Sequence, residues 1–136
     1  MHQQIYVNLP CKDLPRSIAF FTALGYSFNP QFSNDSATCM ILGDNIFAML
    51  LTEAFAQGFT KKPLADATQS TEVLVCLSCS NRAEVDELVA KALAAGGKAP
   101  NPVQDHGFMY GHGFEDLDGH QWELVFMDPL AAPPQA

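Results

Sequence analysis

Basic residues are scarce. Lysine and arginine total 7 against 15 aspartates and glutamates, a formal net charge of −8. Such a surface repels phosphates, which argues against nucleic acid and anionic membrane as partners. It is compatible with a cationic ligand, although acidic surfaces also simply favour solubility. No apolar run approaches the ~20 residues of a spanning helix. The opening Met1-His2-Gln3-Gln4-Ile5 lacks a basic start and a long apolar stretch, so no export signal is expected. The common nucleotide and hydrolase signatures are missing too: no P-loop, no G-x-G-x-x-G and no G-x-S-x-G. Cysteines are few. Cys11, Cys39, Cys76 and Cys79 read as small buried hydrophobes in a reducing, cytoplasmic setting. Cys76 and Cys79 have C-x-x-C spacing, but inside an expected strand they point to opposite faces. No second pair or histidine cluster completes a zinc set.

What remains suits one compact unit. The chain has 136 residues and 48% are hydrophobic, enough for a real core. Ile5, Val7 and Leu9 alternate with Tyr6 and Asn8, which predicts a strand. Asp13 is a good N-cap and Pro15 fits a first turn, so Leu14, Ile18 and Phe21 mark one face of a helix ending at Leu24-Gly25. A short strand over 26–32 follows, then a hairpin of 37–42 and 46–51 around Gly43-Asp44-Asn45. A short helix is expected over 53–59, and 60–70 reads as a linker.

The pattern then restarts. Val73, Val75 and Leu77 alternate with Glu72, Leu74 and Cys76. Asn81 can cap a second helix with Glu84 three residues on, as in a capping box. Gly96-Gly97 ends that helix, 98–103 reads as a strand broken by Pro100 and Pro102, and 106–115 with 120–127 make the last hairpin. The halves align without a gap through strand and helix start. Leu9 falls on Leu77, Cys11 on Cys79 and Asp13 on Asn81, each offset by 68 (77 − 9, 79 − 11, 81 − 13). The expected fold is therefore α+β: two tandem βαβββ modules, 3–59 and 71–128, forming a curled mixed sheet with helices on its outer face. Together they make a single domain over 1–128, and 129–136 is an Ala/Pro tail. Helices would cover the face bearing Val7, Leu9, Val75 and Leu77. The other face must curl around a partner or a ligand.

Chemistry concentrates near the end of the chain. After the D-x-D-G turn at Asp116–Gly119, His120, Trp122, Leu124 and Phe126 fall on one side and Gln121, Glu123 and Val125 on the other. Glu123 is the candidate general base or cation anchor; it could equally be satisfied by Tyr6 or Asn8. Tyr6 and Asn8 share an inward face, and Tyr6 offers an aromatic wall and a hydroxyl. Glu72 lies on the face of Leu74 and Cys76, or is a solvated rim residue. Met49 is core or cavity wall. The stretch 105–114 carries His106, Tyr110, His112 and three glycines, which suit either a ligand-contacting hairpin or edge and dimer packing. His120 reads as a surface residue.

Lys12-Asp13-Leu14-Pro15-Arg16-Ser17 with Phe20-Phe21 and Leu24-Gly25, and Asp116 to Glu123 with the repeat between them, resemble the vicinal oxygen chelate superfamily. That group includes glyoxalases, extradiol dioxygenases and bleomycin-resistance proteins. The resemblance spans residues 3–128. It implies a homodimer whose curled sheets enclose a cavity for a small molecule. In its best-known enzymes it also implies a divalent metal on four inward side chains. Those positions map to Tyr6, to Leu50 or Met49, to Leu74 and to Glu123. Only Glu123 is a good ligand, so no metal and no other cofactor is expected at this site. A relocated, non-standard divalent site using Glu72, Glu123, His106 or His112 is the alternative. The leading functional expectation is a metal-free protein that binds a small cationic or aromatic ligand. The alternative is a lyase, isomerase or dioxygenase of the same superfamily, with Glu123 as base or a rearranged metal site.

Overall fold

The computed structural model describes residues 1–130. The chain divides into two compact units, Met1–Asp66 and Ala67–Ala136. The expected tail over 129–136 lies, from 131 on, outside the described residues.

In the first unit, β1 (Ile5–Cys11) leads into α1 (Leu14–Ala23), then β2 (Ser27–Asn29), β3 (Ala37–Gly43), β4 (Ile46–Thr52) and the short α2 (Glu53–Gln57). The sheet order is β1-β4-β3-β2, with β1 parallel to β4 and the other pairs antiparallel. The second unit repeats this plan with β5 (Leu74–Ser78), α3 (Arg82–Ala94), β6 (Gln104–Asp105), β7 (Met109–Glu115) and β8 (Gln121–Met127), in the order β5-β8-β7-β6. Each unit is thus a βαβββ module with its own four-stranded mixed sheet, and the sheets are not closed. Among the described residues no helix is long and apolar enough to cross a membrane.

The helix starts follow from their caps. Asp13 Oδ1 accepts the Arg16 amide at 3.1 Å, and Asn81 Oδ1 accepts the Glu84 amide at 2.8 Å. α1 buries Leu14, Ser17, Phe20 and Phe21 and packs on β4. α3 buries Val85, Val89 and Ala92 and packs on β7 and β8. Two predicted strands are shorter than the pattern suggested. The strand expected over 26–32 gives way at Pro30 to a single 3-10 turn, Pro30–Phe32, because Asn29 Oδ1 captures the Gln31 amide. The strand expected over 98–103 is reduced to a bridge from Lys98 to Glu115, since Pro100 and Pro102 have no amide to donate.

The D-x-D-G turn is a buried polar knot. Asp116 Oδ1 accepts the amides of Asp118 and His120 at 2.9 and 3.0 Å, and its Oδ2 accepts the Trp122 indole N–H at 3.0 Å. Gly119 has φ +86°, and a side chain there would meet the backbone of Ala67 and Thr68 within 2.9 Å. Only glycine satisfies both demands. His120, expected at the surface, is half-buried in this knot.

Candidate functional site

Register decides which face each residue takes, because strand side chains alternate. In the second unit Val75 pairs with Trp122 and Leu77 with Leu124, while Phe114 and His112 stand opposite the same two residues on β7. This is the helix side. Trp122 and Leu124 are buried, and the Trp122 ring lies parallel to that of Phe114. The opposite side is the one α3, the second unit's one helix among the described residues, does not take. Its rows are Leu74–Gln121–Glu115, Cys76–Glu123–Gly113 and Ser78–Val125–Gly111.

The matching rows of the first unit are Tyr6–Phe47–Ile41, Asn8–Met49–Cys39 and Pro10–Leu51–Ala37. Met49 therefore shares the open face with Asn8, while Leu50, fully buried, faces the helix side with Leu9. The Ala37–Leu51 end is roofed: those two residues cluster with Ala56 of α2, and Met49 and Leu64 pack against them. The Tyr6 end is bare. Tyr6 is 46% exposed, its ring stacks on Phe47 at 4.9 Å and 15°, and its hydroxyl donates to Gln4 at 3.0 Å.

Glu123 sits half-buried in the middle of β8. Among the described residues its carboxylate takes part in no hydrogen bond or ion pair. It lines a shallow, solvent-open recess with Pro100, Asn101, Gly113, Phe114, Glu115 and Gln121. Beside it on β5, Cys76 is exposed, and its thiol is pushed up by burial of the sulfur and by the Glu123 charge. Cys79 turns toward α3, where burial and the Glu84 carboxylate push its thiol up to about 11. The C-x-x-C pair is thus divided between an open face and a helix contact.

The other candidates lie elsewhere. Tyr110 is on the helix side: its hydroxyl donates to Asp86 Oδ1 at 2.6 Å, and the Arg82 guanidinium lies 5.0 Å over its ring. That bond to Asp86 is the main reason the Tyr110 hydroxyl is held above its usual range. His112 is also on the helix side, with Nε2 3.0 Å from the Asn101 carbonyl. His106 is exposed in the β6–β7 turn, next to Phe108, and Glu72 is exposed ahead of β5. The structure gathers Tyr6, Asn8 and Met49 on one open face and leaves Glu123 on the other. It brings none of Glu72, His106, Tyr110 or His112 to either row.

Sequence reasoning placed Gln121 on the side of Glu123 but gave neither it nor Glu115 nor Gly113 a role. Period-two counting back from Glu123, and across the turn, would have found them. The side chains at the positions that the resemblance maps to metal ligands are a poor set for a hard divalent ion. Leu74 has no donor atom, and a Met49 thioether suits soft metals. Among the described residues no three of His, Cys, Asp or Glu converge.

Comparison with known proteins gives one consistent result. Residues 3–124 match the model of the Glyoxalase/Bleomycin resistance protein/Dioxygenase superfamily. A hypothetical protein of Staphylococcus aureus, SA1046, is 29% identical over 93% of this chain and 94% of its own, with a TM-score of 0.79. The fosfomycin resistance protein FosX of Listeria monocytogenes is 18% identical, covering 96% and 98%, at a TM-score of 0.69. TioX of Micromonospora sp. ML1 is 21% identical, covering 98% and 99%, at 0.61. Among curated proteins none matches.

Proposed function

The chain belongs to the Glyoxalase/Bleomycin resistance protein/Dioxygenase superfamily, and from that premise we propose that it binds a small organic cation on the open face of its second sheet, with Glu123 as anchor. The observation that carries this reading is the free carboxylate. A half-buried acid without a protein partner loses part of its hydration and gains nothing in return. A cationic head group would supply the missing partner, and Glu115 in the same recess adds attraction. The bare Tyr6–Phe47 stack on the first sheet is a separate surface for a flat aromatic ring, through stacking or cation–π contact. No metal takes part in this reading.

Calorimetry with a series of quaternary ammonium and guanidinium compounds tests it. Binding should weaken with salt and fall at least tenfold in E123Q; a series giving neither heat nor thermal shift ends the proposal. A second reading draws on the same free carboxylate: a lyase or isomerase in which Glu123 removes a proton from an oxygenated substrate. Turnover of such substrates, lost in E123Q, would favour it over plain binding.

The proposal extends to assembly and setting. A homodimer is supported by exposed apolar groups along or beside the edge strands β1 and β5: Ile5 at 54%, Leu74 at 53% and Val73 at 47%. Light scattering that finds a monomer at all concentrations removes it. The four cysteines, none of them joined in a disulfide, suit a reducing compartment such as the cytoplasm.

A further inference from the structure

Gly113 stands directly opposite Glu123 in the β7–β8 ladder. A methyl group placed on it would lie 2.8 Å from Glu123 Oε2, 2.9 Å from Glu123 Cδ and 2.6 Å from the Trp122 carbonyl oxygen. Backbone conformation does not require glycine here, since the left-handed glycines are Gly25, Gly96, Gly107 and Gly119. The missing side chain serves close approach instead. The Glu123 carboxylate lies across β7 in the space a side chain would fill. On the other flank of β8 stands the exposed thiol of Cys76. The first unit shows the contrasting case: Cys39 occupies the position of Gly113, and the central residue is an uncharged methionine.

Resting on the reading of Glu123 as cation anchor, we propose that Gly113 is the positioning residue of this face. Its bare backbone lets the Glu123 carboxylate lie down over β7, into the recess shared with Glu115 and Gln121, and keeps it off the Cys76 flank. A cationic head group is then taken at the β7 side.

Two signals test this without any ligand. In wild-type NMR spectra the Gly113 amide and α-proton resonances should follow the titration of the Glu123 carboxyl, and in E123Q they should stay flat. Separately, the pH dependence of Cys76 alkylation by iodoacetamide is measured in wild type, G113A, E123Q and the double variant. G113A should move the carboxylate toward the thiol and raise its midpoint by ~0.5 pH unit, and E123Q should lower it. In the E123Q background G113A should add nothing. Equal shifts from G113A with and without the acid would mean a merely structural glycine and overturn the proposal. So would Gly113 resonances indifferent to the carboxyl. If the Trp122 carbonyl prevents G113A from folding, the wild-type and E123Q spectra decide alone. Benzyltrimethylammonium binding is measured apart: both signals as expected with no binding would uphold the positioning and sink the anchor reading.

Discussion

The two units share a frame and differ in what they expose. Hairpin positions correspond at an offset of 74 (121 − 47, 123 − 49, 115 − 41), so the pairing rows can be set side by side. Asn8–Met49–Cys39 becomes Cys76–Glu123–Gly113, and Tyr6–Phe47–Ile41 becomes Leu74–Gln121–Glu115. The first open face is largely apolar and roofed at one end by α2 and Leu64, whereas the second carries the carboxylates of Glu123 and Glu115. The helix sides differ as well. Trp122 of the second sheet corresponds to Ala48 of the first (122 − 74), where α1 contributes Phe20 and Phe21 to the core. A duplicated frame keeps its hydrogen-bond register while its alternating side chains diverge, because faces are filled independently of the ladder.

The largest expected effect attacks the helix side. Trp122→Ala removes a ring that is 1% exposed, stacks on Phe114 and donates to Asp116. Urea unfolding should show a loss of ~3–5 kcal/mol. A loss below ~1 kcal/mol would mean the second unit does not lean on this one ring. The next test writes the second face onto the first. Met49→Glu sets a carboxylate beside the Ala37–Leu51–Ala56 cluster, opposite Cys39 instead of a glycine. With no bare backbone to lie on and no partner, it should cost ~2–3 kcal/mol. A neutral outcome would show that the two open faces are interchangeable.

The frame was legible because it rests on local signals. Asp13 and Asn81 cap helices in any context, the 68-residue offset needs only counting, and the Asp-Gly turn announces a hairpin. The alternation after Gly119 also placed Trp122 and Glu123 correctly on opposite faces. What stayed hidden was non-local. Tyr110 and His112 have the right alternation for a ligand hairpin, but α3 covers that side, and nothing nearby in sequence says that Asp86 will meet the Tyr110 hydroxyl. Leu50 and Met49 could be ordered only by the β1–β4 register, which depends on strands about forty residues apart. Gly113 looked like one of three loose glycines until the opposite strand showed what its missing side chain admits.

A smaller effect is expected at the turn that precedes Glu123. Burial raises the Asp116 carboxyl above its usual range, against a lowering influence from His120. With the folded value above the unfolded one, the folded chain holds the extra proton. Its contribution is present below the ordinary aspartate range near ~3.9 and is lost as pH rises through the folded value. Asp116→Asn removes that dependence and sets an amide against the Trp122 N–H, so it should cost ~1–3 kcal/mol. The deficit should be widest in acid and narrow toward neutral pH. Stability of both forms measured from acid to neutral pH checks the sign, and a deficit that widens with pH would mean the ionised acid is the favoured form in the folded chain.

The smallest expected change in stability belongs to the residue with the largest expected role in binding. Glu123→Met gives the second sheet the central residue of the first. It removes a half-buried carboxylate that no described residue satisfies and offers Cys76 and Gly113 an apolar neighbour. A core acid held in place by partners would leave them stranded when removed, at ~1–3 kcal/mol. An acid kept for a ligand strands nothing. Stability should therefore stay within ~0.5 kcal/mol of wild type or rise by that much, while organic-cation binding drops at least tenfold. Chemical unfolding and calorimetry on one preparation give both numbers. A loss of stability with binding intact would reverse the roles assigned here to the two faces, leaving Glu123 as structure and the bare Tyr6–Phe47 surface as the place where ligands are met.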